Sequence, residues 1–332
     1  MAGESVLASR VRLARNYEDL PFDAASRPEC AAMCIARTEN ALKLAGADEG
    51  FVLMRLRDMD ETQRASLVES HLITRDLNQN PDSAAVLLHT DEALSIMMNE
   101  EDHLRIHARE MGMNLQKAAD RCFAVEDALS RQVTFAFDRQ LGYLTACPTN
   151  TGTGMRASLL MHLPMLTICK QMGSVGQIVA KVGLTIRGVY GEGSEALGNL
   201  YLVSNQVTLG RTEQELISAV TAVGHQLTDM ERALWDKTFA ASPMTLEDTI
   251  FRAWGVMTNA RIMPLKEFYK HWSGLRLGAE RGMLDVSTEV IDALLVEAQD
   301  AHLQAYAEKN LSGRALDEAR AARIRQMLTP SL

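Results

Sequence analysis

The feature that most constrains the fold is a change of hydrophobic period part-way along the chain. Between about residue 50 and 210, short apolar runs of strand type recur between Gly, Asn and Asp. They are FVLMRL (51–56), AVLLHT (85–90), LSIMMN (94–99), VTFAFD (133–138), LGYLTA (141–146), LTIRGVY (184–190) and NLYLVSNQVTL (199–209). VTFAFD and LGYLTA, joined by two polar residues, read as a hairpin. Helical spacing occupies 28–45, 60–70, 113–130 and 155–172, the last directly after a Gly-Thr-Gly turn. Beyond residue 211 only helical periods remain: 212–237, 245–257, 264–278, 287–309 and 316–328, with breaks at Ser242-Pro243 and Gly282. The expected fold class is α+β, with an α+β domain over 1–240 and an all-helical C-terminal domain over 241–332.

Charge and cysteine content narrow the function. Lys and Arg total 34 against 43 Asp and Glu, a net charge of −9. That balance speaks against general nucleic-acid binding, which needs a basic surface. No apolar run reaches the roughly 18 residues of a membrane span, and the start, MAGESVLASRVRLAR, has no apolar signal core. The five cysteines (30, 34, 122, 147, 169) form no CxxC pair. They read as reduced thiols, and a cytoplasmic location is expected.

Four segments carry chemistry. In SRVRLAR (9–15), Arg10 and Arg12 alternate as on an extended strand, which puts two guanidinium groups on one face. Such a pair suits an anion, or a solvated edge strand. In MMNEEDHLRIH (97–107), three acids at a strand end precede His103 and Arg105, a pattern that serves a metal, a general base or a polar turn. CPTNTGTGMRAS (147–158) joins Cys147 to a Gly-rich loop and a helix expected to carry Arg156. It is not a Walker loop, because no Gly-Lys-Ser/Thr follows. IRGVYGEGSEALGN (186–199) sets Arg187 before a glycine-hinged loop with Glu192 and Glu195, either a closing lid or a surface loop. If Arg10, Arg12, Arg105, Arg156 and Arg187 converge, they make a pocket for a nucleoside triphosphate, whose oxygens match guanidinium forks.

Together, in this order, SRVR, NEEDHLR, CPTN-x-GTG-x-RAS and RG-x-x-GE resemble the catalytic domain of the phosphagen (guanidino) kinases. SHLITRDL (70–77) and RGVYGEGSEALGNLYLVSNQVTLG (187–210) more closely resemble their bacterial branch, the protein arginine kinases. The resemblance implies an antiparallel sheet flanked by helices, and ATP-dependent phosphorylation of a guanidinium nitrogen with Mg²⁺ on the phosphates and no dedicated protein metal ligands. It places Ser9, Arg10, Val11, Arg12, Leu13, His71, Arg105, Arg156, Ala157, Ser158, Arg187 and Gly188 at nucleotide-contacting positions. Glu101 and Glu192 fall at the two catalytic carboxylates, and Cys147 at a supporting thiol.

The implied substrates are proteins with exposed arginines, because the helical domain that precedes SRVR in small-guanidine kinases has no counterpart ahead of Ser9. A small-molecule guanidino kinase and a non-catalytic nucleotide- or phosphoarginine-binding adaptor are the alternatives. The bacterial context adds protein quality control, with a zinc-binding activator, a heat-shock repressor, a Clp-type protease and a homodimer. The family's Arg-Asp-x-x-Arg-Ala element, which binds phosphoarginine, corresponds to 316–321, where Leu316 replaces the leading arginine. Asp317 and Arg320 there read as a surface i,i+3 ion pair.

Overall fold

A computed structural model describes residues 5–190 and 196–329. In chain order the first half runs β1 (Val6–Arg15), α1 (Pro28–Leu44), β2 (Phe51–Arg55), α2 (Glu61–Glu69), α3 (Arg75–Gln79), β3 (Ala85–His89), β4 (Leu94–Met98), β5 (Leu104–Met111) and α4 (Leu115–Ser130). Then come β6 (Phe137–Asp138), β7 (Gly142–Tyr143), β8 (Met155–His162), α5 (Pro164–Ile168), α6 (Met172–Lys181), β9 (Leu184–Tyr190) and β10 (Ala196–Asn205). Six helices complete the chain: α7 (Glu213–Ala241), α8 (Pro243–Asn259), α9 (Leu265–Glu280), α10 (Thr288–Glu297), α11 (Asp300–Ala307) and α12 (Arg314–Leu328).

Eight strands form one antiparallel sheet in the order β2-β3-β4-β5-β1-β8-β10-β9. β1 is central, and the period of a strand sorts its side chains. Val11 and Leu13 are fully buried in the core with Ile106, Ala118, Cys122 and Leu159, where α4 packs on the sheet. Arg10 and Arg12 point to the opposite face. That second face is divided. Leu160 and Leu200 pack there beneath Phe268, Tyr269 and Trp272 of α9, so the tail helices cover one part of the sheet. The arginines occupy the remainder.

Three sequence expectations change. Residues 155–162 are the strand β8, not the start of a helix. β8 is buried on both faces, so its apolar run does not alternate and its period does not distinguish it from a buried helix. The strand β5, on the other side of β1, escaped notice because Arg105, His107 and Arg109 break its apolar pattern; they lie on the divided face, with Arg105 and His107 lining its cavities. The expected 133–146 hairpin shrinks to β6 and β7, two residues each. In the tail, the 287–309 helix splits at Ala298-Gln299 into α10 and α11.

Arg320 is not a surface residue. It is 2% exposed. Its guanidinium donates to the carbonyls of Ala298 and Met263, each at 2.8 Å, to Asp317 at 2.7 Å, and to Asp300. A buried cation with four acceptors holds α12 to the start of α11.

Candidate active site

The register of the central strands sets the geometry. Arg12 lies opposite Arg156 on β8 and His107 on β5, while Arg10 lies opposite Ser158 and Arg109. Two adjoining cavities share Arg12. One, of about 220 Å³, is bordered by Arg10, Arg12, His71, Arg75, His107 and Ser158, with Val68, Ile73, Met97 and Leu202 as an apolar wall. The other, of about 250 Å³, is bordered by Arg12, Glu101, Arg105, Cys147, Asn150 and Arg156.

Cations crowd this face. Burial, then Arg105 and Arg156, push the Arg12 guanidinium down to about 9. Arg156 is lowered by burial first and then by Arg187 and Arg105, which brings the β9 arginine into the same group. A guanidinium does not readily give up its proton, so mutual repulsion is relieved by binding an anion. His71 and His107 are held neutral by burial and by Arg10. His71 adopts φ 60°, the left-handed region, just past the end of α2.

The three consecutive acids divide their work. Glu100 is buried, accepts from Thr74 and sits 2.6 Å from the Arg105 guanidinium. Asp102 accepts from Asn16 Nδ2 and the Ala146 amide, both at 2.7 Å, and so ties the acid loop to the segment ahead of Cys147. Glu101 alone faces the cavity, its side chain 45% exposed. Its carboxylate lies 3.4 Å from Asn150 Nδ2 and 3.6 Å from Arg105 Nη2. His103 is structural: it receives the Tyr17 amide and bonds the Pro21 carbonyl.

Cys147 borders the same cavity, its sulfur 3.0 Å from Thr149 Oγ1. The Gly-Thr-Gly turn behind it brings two backbones together. A Cβ on Gly154 would lie 2.7 Å from the Ala14 carbonyl, and one on Gly152 2.5 Å from the Thr208 carbonyl.

Of the residues expected at the site, Arg10, Arg12, His71 and Ser158 border the first cavity, and Glu101, Arg105, Cys147 and Arg156 the second. Ser9, Val11, Leu13 and Ala157 turn to the opposite face and are buried. Ser9 accepts from the Asn114 amide and donates to the Gly112 carbonyl, pinning β1 rather than facing a ligand. Gly188 follows Arg187 on β9. Glu192 lies outside the described residues. Sequence reasoning missed Glu100, Asn150 and His107. His107 was detectable, because it follows Arg105 by two residues on one strand; its buried Nε2 has no hydrogen-bond partner among the described residues.

Comparison with known proteins matches this geometry to a family. The family model for the ATP:guanido phosphotransferase C-terminal catalytic domain matches residues 33–234. The chain belongs to the ATP:guanido phosphotransferase family. The model for the protein-arginine kinase McsB C-terminal domain matches 243–331, which places the chain in the bacterial protein-arginine kinase branch. The protein-arginine kinase of Moorella thermoacetica is 42% identical over 327 residues, 97% of this chain and 93% of its own length. That of Bacillus subtilis is 39% identical over 327 residues, 97% and 90% of the two chains. Among solved structures, lombricine kinase superposes with TM-score 0.62 at 25% identity, covering 71% of this chain and 70% of its own. A duplicated taurocyamine kinase from Schistosoma mansoni with bound transition-state-analogue components gives TM-score 0.61 at 28% identity, covering 68% of this chain and 32% of its own. The antiparallel sheet and the helical tail follow the family pattern.

Proposed function

We infer that this chain is a kinase that transfers the γ-phosphoryl group of ATP to a guanidinium nitrogen of arginine side chains in proteins. The observation that carries this reading is the half-exposed carboxylate of Glu101, the one acid among the described residues that borders the cavity sharing Arg12 with the arginine-lined one. Relatives of matching length carry the protein-arginine kinase name.

The arginine cradle receives the triphosphate, and Val68, Ile73, Met97 and Leu202 offer an apolar wall to the base. Mg²⁺ would come with the nucleotide and would offset part of the triphosphate charge. Glu100 and Asp102 are already engaged, by Arg105 and by Asn16. The substrate guanidinium is cationic at neutral pH and its nitrogens are poor nucleophiles. Glu101 pairs with it, aligns one nitrogen with the γ-phosphorus and accepts that nitrogen's proton as the P–N bond forms and the bond to the β-phosphate oxygen breaks. Arg12, Arg105 and Arg156 offset the charge of the transferring group. The products are ADP, a phosphoarginine side chain and a proton. Glu192 is proposed as the second carboxylate and Cys147 as a supporting group beside the guanidinium.

The relatives' name supports arginine-bearing protein substrates; a place in protein quality control, with a zinc-binding activator, a heat-shock repressor, a Clp-type protease and a homodimeric state, is proposed from the family resemblance alone. We take 1–240 as the catalytic unit and 241–332 as the tail. No described helix is long and apolar enough to cross a membrane.

Substitution Glu101→Gln tests the mechanism. With Mg-ATP and an arginine-rich protein, the turnover rate should fall by about 10²–10⁴-fold while nucleotide binding persists. Undiminished turnover would remove Glu101 from the reaction.

A further inference from the structure

The tail does more than cover the sheet: it reaches the arginine cavity at one wall. Gln299, the residue ahead of α11, borders that cavity together with Glu69, the last residue of α2. Glu69 is held by α11 itself. Its carboxylate accepts from the Ala301 amide at 2.9 Å and the His302 amide at 3.1 Å. It also bonds His302 Nδ1 at 2.7 Å, while His302 Nε2 lies 3.1 Å from Ser70 Oγ. The start of α11 is fixed in turn by Arg320, which grips Asp300 and the Ala298 carbonyl. Two residues beyond Glu69 stands His71, on the same cavity.

We propose that Glu69 is a positioning residue through which docking of the tail sets nucleotide affinity. With α11 docked, the carboxylate is taken up by two helix N-terminal amides and His302, where the helix dipole also favours it. With α11 displaced, the same carboxylate borders a cavity built for a triphosphate and opposes it by like-charge repulsion. The tail therefore acts by holding that carboxylate on the α11 amides and His302 instead of leaving it unpaired beside the phosphates. This rests on the arginine cavity being the nucleotide site.

The test uses the full-length chain and steady-state kinetics with Mg-ATP and an arginine-rich protein. His302→Ala should raise the nucleotide KM several-fold, with kcat and the protein-substrate KM changed less than twofold. That rise should shrink at high salt, where the repulsion is screened. Adding Glu69→Gln to His302→Ala should return the nucleotide KM to within about twofold of the parent, because the charge is gone even though the contact is not restored. A purely structural role for the contact predicts no such return. An unchanged KM in His302→Ala, or a double variant as impaired as the single one in a fold shown intact by thermal melting, would overturn the proposal. Arg12→Ala is the separate control: if it leaves nucleotide binding intact, the cavity assignment fails and not the role of Glu69.

Discussion

At the level of single residues, the site works by giving neighbouring side chains unlike jobs. Glu100, Glu101 and Asp102 look equivalent in sequence, yet only Glu101 is exposed to the cavity. Thr74 and Arg105 claim Glu100, while Asn16 and the Ala146 amide claim Asp102. No local pattern reveals this, because every one of those partners except Arg105 comes from a distant segment. Arg10 and Arg12 were legible, since alternation on a strand places them together whatever the partners. Ser9, Val11, Leu13 and Ala157 show the reverse side of that rule: being one residue off puts a side chain in the core. The Glu100–Arg105 pair gives a direct expectation. Glu100→Gln removes the anion that fixes Arg105, and kcat with Mg-ATP should fall roughly tenfold, about 1.4 kcal/mol of transition-state stabilisation. The protein-substrate KM should change little. Equal kcat for variant and parent would mean that Arg105 is oriented by something else.

Among the elements, β8 is the instructive one. Its apolar residues read as helix because a strand covered on both faces loses its alternation. The glycines ahead of it carry the missing information. Gly154 adopts φ 61°, and a Cβ there would meet Arg15 Nη1 at 2.5 Å and the Ala14 carbonyl at 2.7 Å. Gly154→Ala should therefore cost more than about 1 kcal/mol, seen as a lower melting temperature. An unchanged melting temperature would mean that β1 and the turn separate without cost. A second element-level device is the junction of α5 and α7. Glu231 of α7 accepts from the amides of Met165 and Leu166 at the start of α5. Burial is the main cause that raises its carboxyl from 4.5 to about 7. The folded chain thus binds the proton more tightly than the unfolded chain. The stability this contributes is full below pH 4.5 and is lost as pH rises through 7, on the order of 3 kcal/mol. Glu231→Gln, which cannot ionise, should gain stability relative to the parent across pH 4.5 to 7 in thermal melts. A constant difference between the two proteins would show that the Glu231 carboxyl does not titrate there.

For the molecule as a whole, the organisation is one sheet with one fully covered face and one divided face. The change from strand to helix period announced a helical tail. It did not announce that Phe268, Tyr269 and Trp272 would lie on the same sheet face as the arginines, because docking is decided by shape and apolar match between segments remote in sequence. Nor did it announce the burial of Arg320, whose acceptors come from its own helix, from Met263 and from the α10–α11 junction. The division of that face is what leaves a bounded cleft, with the tail as one wall and the cation cradle as its floor.

The most direct test of the central claim is ³¹P NMR of the protein with Mg-ATP and an arginine-rich acceptor protein, with free arginine in a parallel sample. The account predicts a phosphoramidate signal that stays with the acceptor protein, disappears in mild acid and is absent with Glu101→Gln. A signal confined to free arginine, or one that survives Glu101→Gln undiminished, would contradict it.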